Sequence, residues 1–511
     1  MLAKIKSIGL YGIQGYEVRV EADINKGLPK FDTVGLPDAT IKESKERIRS
    51  AIKNSNFKFP VTKVTVNLAP ADVKKEGPMY DLPIAVALLV CTEDISCMNL
   101  KDYSFLGELS LDGSIRKIDG VLPALITARN LGHKKVVVPK ENSNEASYID
   151  GIDVYGVSTL KELVLFLNGE LTLEPIEKKK FECIKNDEIS ANDFCYIKGQ
   201  YQAKRALEIA AAGGHNVLMI GPPGAGKTML ARSVSTIMPD LTFDESLEVT
   251  KIHSIAGTLD PRIGIIWQRP FRSPHHTTTV VALCGGGRNA KPGEISMAHN
   301  GILFLDELPE YNRHTIETLR QPLEDGVITV ARNTATIEYP ASFMMIASMN
   351  PCPCGNYGSK KRECKCTESM IRKYLSKISG PLLDRIDLHI DVDDLDYSEL
   401  HTINKLEEKS ETIKERVNKA RLIQLNRYKD SKHFCNAKMT NAEMRKYCVL
   451  DEESSELMKN AFDNLKLSAR AYTRILKVAR TIADLDGSEN IKLEHLAEAI
   501  SYRTLDKKYS F

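Results

Sequence analysis

The sequence predicts a multidomain α/β protein: an α+β domain over residues 1–170, a parallel α/β domain over 194–395 and an all-helical domain over 396–511, with a linker over 171–193 after the first. Three observations predict it. The first segment alternates short β-rich runs (KVTVNLAP, KKVVVPK, DVYGVS) with helical ones (DLPIAVALLV, VLPALITARNLG), the mixture expected of a self-contained α+β unit. The middle segment runs strand, glycine-rich turn, helix and then further buried strands, the order a parallel sheet needs. The last segment is almost free of Gly and Pro and carries helical periodicity in stretches such as YTRILKVARTIADL. The linker, ELTLEPIEKKKFECIKNDEISAND, is charged and has few apolar anchors.

Composition bounds the partners. At 511 residues the chain is too long for one hydrophobic core, so two or three domains are expected. Charged residues at 27% and hydrophobic ones at 42% are ordinary for a globular protein. No apolar run reaches the ~18 residues of a membrane-spanning helix. The opening stretch alternates like a strand and lacks the apolar region of a secretory signal, so a cytoplasmic protein without a membrane partner is expected. Eleven cysteines, an odd number with no export signal, point to thiols and metal ligands. Formal net charge is only +2, so nucleic acid contact would rest on local basic patches.

The strongest motif is NVLMIGPPGAGKTMLARSV over residues 216–234, an apolar strand leading into G-x-x-x-x-G-K-T and a helix. The nucleotide-binding set is therefore Gly221, Pro222, Pro223, Gly224, Ala225, Gly226, Lys227, Thr228 and Met229. Backbone N–H groups of such a turn wrap phosphates, aided by the helix dipole. Lys227 supplies a point charge to the β- and γ-phosphates of ATP, and Thr228 a hydroxyl to Mg²⁺. The second half of the site is GILFLDELPE, a buried strand from which two acids emerge: Asp306 to hold Mg²⁺ and Glu307 to polarise the attacking water. A third strand, FMMIASMN, ends in Asn350, suited to orient that water.

The order of these motifs resembles that of AAA+ ATPases, in which the position of Asn350 is called sensor one. The resemblance implies that Arg385, in GPLLDRIDLHI, is the arginine finger reaching a neighbouring subunit's ATP, and that Arg470, in LSARAYTRIL, is the sensor-two arginine of a helical lid. An arginine acting in trans implies a ring.

Between Thr228 and Asp306 lie far more residues than the ~30 of a simple βαβ unit. The insert carries a basic tip at Arg288 and Lys291, and a predicted hairpin, GVITVARNTATIEYPASF, bears Arg332 near its turn. Both resemble the helix-two insert and pre-sensor-one hairpin shared by magnesium-chelatase ATPase subunits and MCM helicases, which implies that Arg288, Lys291 and Arg332 contact DNA in a ring channel. Across the whole chain, the stretches VGLPDATIKESKERIRSAI, VNLAPADVKKEGPMYDLPIA, LRQPLEDG, MNPCPCG and SGPLLDRIDLHI resemble the magnesium-chelatase-like ComM/YifB family. That resemblance implies an ATP-dependent, homo-hexameric DNA motor, a helicase promoting branch migration in homologous recombination or natural transformation. The alternative is a chelatase-like ATPase that remodels a protein partner.

Residues 65–140 resemble the peptidase domain of Lon proteases, a ribosomal-S5-domain-2-like fold, through KKEGPMYDLPIAVALL and GSIRKIDGVLPALITARNLGHKKVVVPKEN. The positions of Lon's catalytic serine and lysine fall on Met79 and Leu122, so the fold is expected and the protease is not. Finally, CPCGNYGSKKRECKC sets Cys352, Cys354, Cys364 and Cys366 as C-x-C-x9-C-x-C directly after Asn350, a set suited to tetrahedral Zn²⁺.

Overall fold

The structure, a computed structural model, describes residues 1–181, 191–287, 290–331, 336–359, 362–393, 407–431 and 433–505. Packing divides the chain into two compact units, Met1–Cys183 with Phe243–Ile266, and Ile184–Thr242 with Trp267–Phe511.

The first unit is built on a seven-stranded mixed sheet, in the order Lys30–Val34, Lys63–Ala69, Gln14–Asn25, Leu2–Tyr11, Tyr103–Phe105, Lys135–Pro139, Asp153–Val157. Its two long strands pair antiparallel, Leu2 opposite Asp23 and Tyr11 opposite Gln14. Strict alternation sends Val18, Val20 and Ala22 into the core, as the two-residue period of a strand requires. The helix Asp81–Cys91 is buried at every position, as its run LPIAVALLVC demands, and its one acid, Asp81, pairs with Arg47 at 2.8 Å.

Phe243–Ile266, which the sequence reading includes in the segment 194–395, belongs to this first unit. Its helix, Phe243–Ala256, is fastened by polar contacts to residues more than a hundred positions away. Ser254 Oγ donates to the buried Glu145 carboxylate and accepts the Gly120 N–H at 3.1 Å. Glu145 also accepts the Leu122 N–H at 2.9 Å and the Asn142 amide at 3.2 Å, and burial pushes its carboxyl above the usual range. Lys117 Nζ reaches the Leu259 carbonyl at 3.2 Å, and Asn144 the Pro261 carbonyl at 3.0 Å.

The second unit holds a five-stranded sheet, all parallel, in the order Phe271–Arg272, Ile302–Leu305, Met344–Met349, Val217–Ile220, Leu388–Asp391. Three of these strands, VLMI, ILFL and MMIASM, are buried throughout, as strands covered on both faces must be. Val217–Ile220, the first of the five strands in the chain, lies between the last two, and ligands of open parallel sheets bind outside the carboxyl ends of the strands. Ile220, Leu305 and Met349 end at this edge, so Gly221, Asp306 and Asn350 emerge together. A separate hairpin pairs Val327–Ala331 with Thr336–Pro340, antiparallel.

The C-terminal region is helical: Ser410–Arg427, Asn441–Tyr447, Glu452–Leu465, Ala469–Leu485 and Leu493–Ser501. A buried Asp484 ties it together, accepting from Arg427 at 2.6 Å, Asn436 at 2.8 Å and Arg480 at 3.1 Å. No described helix is long and apolar enough to cross a membrane.

The Ser254 hydroxyl is the pivot that holds Phe243–Ala256 in the first unit, because it satisfies a buried N–H and a buried carboxylate at once. Ser254→Ala leaves both short of a partner, at a cost of about 1–3 kcal/mol. Amide hydrogen exchange should accelerate across Phe243–Ile266 and stay unchanged in the strand Val217–Ile220; uniform exchange rates in both would overturn this assignment.

Candidate nucleotide site

The turn after Val217–Ile220 is shaped by its glycines. Gly224 and Gly226 have φ of +87° and +88°, the left-handed region that L side chains avoid, and a Cβ on either would meet nothing within 4 Å. The space above the turn is thus open to an approaching phosphate. Gly226 starts the helix Lys227–Ile237, whose first-turn N–H groups face the same space. Pro222 and Pro223 have no N–H to give; Pro222 contributes its carbonyl instead. Met229 is on the exposed side of the helix.

Lys227 is the centre of the site. Its ammonium is held by the Gly221 carbonyl at 2.6 Å, the Pro222 carbonyl at 2.8 Å and Asn350 Oδ1 at 3.2 Å. The last contact joins the turn to the end of the neighbouring strand. Thr228 Oγ1 lies 3.0 Å from Asp306 Oδ2, so the hydroxyl and the carboxylate stand side by side. Together these groups suit a nucleotide with Mg²⁺: a cradle without side chains, a fixed cation and two adjacent oxygen donors of the kind Mg²⁺ takes.

Asp306 is braced from behind. Ser348 Oγ donates to Asp306 Oδ1 and also accepts the Glu307 N–H at 3.2 Å, and the same N–H lies 3.1 Å from Asp306 Oδ1. Glu307 itself sits at φ +52°, an uncommon conformation for a non-glycine residue and one that gathers at functional sites. Its side chain is exposed and makes no hydrogen bond or ion pair with the described residues. Ser348 was not apparent from the sequence, because its partners are more than forty residues away.

Arg385 and Arg470 are elsewhere. Neither bonds to the turn, Thr228, Asp306, Glu307 or Asn350 among the described residues. Arg385 is 9% exposed, donates to the Pro381 carbonyl at 2.7 Å and forms an ion pair with Glu324. That hydrogen bond, with the charges of Arg385, Arg470 and Arg474, holds the Glu324 carboxyl below the usual range. Arg474 in turn donates to the buried Asp387 at 2.8 Å. Three arginines therefore gather about one acid that sequence reasoning did not single out.

Of the residues expected to meet DNA, Lys291 is exposed, on a two-residue ladder with Gly285–Gly286. Arg288 and Arg332 lie outside the described residues. The cysteines Cys352, Cys354, Cys364 and Cys366 do converge, with all four sulfurs within 4.8 Å of one another. Three of the separations are 3.4, 3.7 and 3.7 Å. Sulfurs at the corners of a Zn²⁺ tetrahedron lie about 3.8 Å apart, whereas a disulfide needs about 2.05 Å. Backbone N–H groups of Asn356 and Lys365 draw the Cys354 thiol down to about 6. Cys364 is pushed up to about 12: the Cys366 N–H lowers it, but desolvation and the neighbouring Cys354 and Cys352 outweigh that. A cluster whose members oppose one another's ionisation is a donor set that a divalent cation completes.

In the first unit, Met79 and Leu122 are both buried and apolar, and the Leu122 N–H serves Glu145. Neither position carries a nucleophile or a base.

Comparison with known proteins divides the chain into three matched stretches. Residues 193–400 match the family described as magnesium chelatase, subunit ChlI, residues 20–142 match subunit ChlI of Mg-chelatase, and residues 407–503 match its C-terminal region. The chain is 42% identical to the competence protein ComM of Haemophilus influenzae, over 99% of this chain and 98% of that one. It is 43% identical to the protein YifB of Escherichia coli, over 97% of this chain and 96% of the other. Over 32% of this chain and 30% of the other, it is 27% identical to Lon protease 2 of Bacillus subtilis. Near-full-length identity above two fifths, joined to a mixed α/β chain with a helical C-terminal region, makes this protein a member of the magnesium-chelatase-like ComM/YifB family of AAA+ ATPases.

Proposed function

We propose that the chain is a cytoplasmic ATP-driven DNA motor subunit that assembles as a homo-hexameric ring and moves branched or single-stranded DNA, promoting branch migration in homologous recombination or natural transformation. The observation that carries the ATPase half is the convergence of Lys227, Thr228, Asp306 and Asn350 at one sheet edge. ATP with Mg²⁺ supplies the phosphoryl chemistry when bound. Lys227 neutralises the β/γ-phosphates, Thr228 and Asp306 hold the metal, the unpaired Glu307 carboxylate polarises water and Asn350 orients it.

Arg385 pairs with Glu324, whose carboxyl also feels the charge of Arg470, and neither arginine bonds to this chain's own turn among the described residues. The reading that follows is that both arginines serve a neighbour's ATP, which requires the ring. In-trans arginines are worth about 10³ to 10⁵ in rate in related GTPases. Arg288, Lys291 and Arg332 are assigned to DNA, and Cys352, Cys354, Cys364 and Cys366 to a structural Zn²⁺. That the Haemophilus relative is a competence protein supports the DNA reading. The family description supports the second reading, an ATPase that remodels a protein.

ATP turnover measured with and without forks, junctions and single strands separates the two. Wild-type chain should be stimulated by DNA, Lys227→Ala should be inactive, and DNA affinity should fall with salt at a log–log slope of about −0.9 per phosphate contacted on duplex. Turnover indifferent to DNA, with no salt-sensitive binding, would leave only the remodelling reading. Because Ser348 braces Asp306 without facing substrate, Ser348→Ala should lower turnover about 10–100-fold while nucleotide affinity changes little. Mixing tests the shared site: Glu307→Gln chains and Arg385→Ala chains, each inactive alone, should regain ATPase when combined. A mixture as inactive as its components would place Arg385 outside the neighbour's site.

A further inference from the structure

The loop that carries the four cysteines presses on the nucleotide turn. Gly355, the residue after Cys354, has φ +79° and donates its N–H to the Cys352 carbonyl at 3.0 Å. A Cβ on Gly355 would stand 2.5 Å from Pro223 Cδ and 3.1 Å from Pro223 Cγ, well inside van der Waals contact. Pro223 is a member of the glycine turn. At its other end the loop begins at the fully buried Cys352, two residues beyond Asn350, whose side chain accepts from Lys227. The cysteine loop thus meets the turn twice: once through the chain at Asn350, once through the packed Gly355–Pro223 contact.

We propose that the metal-bound cysteine loop is a positioning element for the nucleotide, so that metal occupancy sets the affinity of the turn for ATP and ADP. The proposal rests on the nucleotide and zinc readings above. Its physical basis is that Gly355 lies between ligands Cys354 and Cys364. A divalent cation that draws these sulfurs to one point fixes Gly355, and Gly355 walls in Pro223. Where the sulfurs are unmetallated, the loop relaxes and Pro223 loses that wall. The N–H groups of the turn then no longer hold the single orientation that cradling a phosphate requires. Displacements of about 1 Å at a reacting centre cost as much as 10²-fold, so a small relaxation suffices.

The same loop supplies a matched control. Gly358 also has φ +79°, but a Cβ there meets nothing within 4 Å. Gly355→Ala and Gly358→Ala therefore impose the same backbone strain, and only the first pushes on Pro223. The measurements are zinc content per chain, by mercurial release into a colorimetric chelator, and affinity for fluorescent ADP with Mg²⁺, on full-length protein. Both variants should keep about one zinc per chain. Gly355→Ala should bind ADP about tenfold more weakly or worse, and Gly358→Ala within about twofold of wild type. Zinc stripped from wild type should cost a similar factor, and added Zn²⁺ should restore it. Equal affinities for the two variants, or a stripped chain that binds ADP as well as the loaded one, would overturn the proposal. A chain purified without zinc that binds ADP tightly defeats the zinc reading and the proposal together while the nucleotide reading stands. A zinc-loaded wild type that binds no ADP defeats the nucleotide reading first.

Discussion

An ammonium group held by three neutral oxygens organises this molecule. Lys227 is nearly buried, and a buried cation must find acceptors or lose its charge. The Gly221 and Pro222 carbonyls and the Asn350 amide oxygen supply them. These three acceptors fix the ammonium in place beside the turn. Because one acceptor comes from the adjacent strand, the contact also sets the turn against the strand edge. The strand order makes this possible: Met344–Met349 lies directly between the strands that end in Gly221 and Asp306. Every other feature of the site is arranged around that spacing.

A second centre has the opposite sign. Glu324 pairs with Arg385, and the hydrogen bond from Arg385 with the charges of Arg385, Arg470 and Arg474 holds its carboxyl below the usual range, while Arg474 itself bonds to the buried Asp387. A nearly buried guanidinium such as Arg385 is expensive unless paired, and Glu324 pairs it while remaining half-exposed itself. The acid can thus hold the arginines in one direction without enclosing them. Among the described residues neither Arg385 nor Arg470 bonds to the turn that holds Lys227, so the two charged centres are separate.

Most of the nucleotide site was legible in the sequence because each of its parts is local. GPPGAGKT, the ILFL run before Asp306 and the MMIASM run before Asn350 announce their structure within ten residues, since parallel strands are continuous apolar segments and phosphate turns need glycine. The residues that escaped are those whose meaning is set by distant partners. Ser348 is an ordinary strand residue until the sheet brings Asp306 beside it, and Glu324 is one of many acids until Arg385 folds onto it from sixty-one residues away. The docking of Phe243–Ala256 in the first unit escaped for the same reason: the helix buries polar residues beside apolar ones, and Glu145 and Gly120 decide where its serine goes. Met79 and Leu122 were legible because the wrong chemistry at an aligned position is itself a local fact.

The chain between the two charged centres is short and continuous. Glu324 ends a helix at Gly326, the hairpin Val327–Ala331 and Thr336–Pro340 follows at once, and the strand that delivers Asn350 begins at Met344. The base of the hairpin is closed by the Ala341 N–H on the Gly326 carbonyl at 2.8 Å. The hairpin is thus pinned at its base by the same segment that pairs Arg385 through Glu324 at one end and accepts from Lys227 through Asn350 at the other. Coupling of the two ends needs an element with two arrangements, and this segment supplies the path between them.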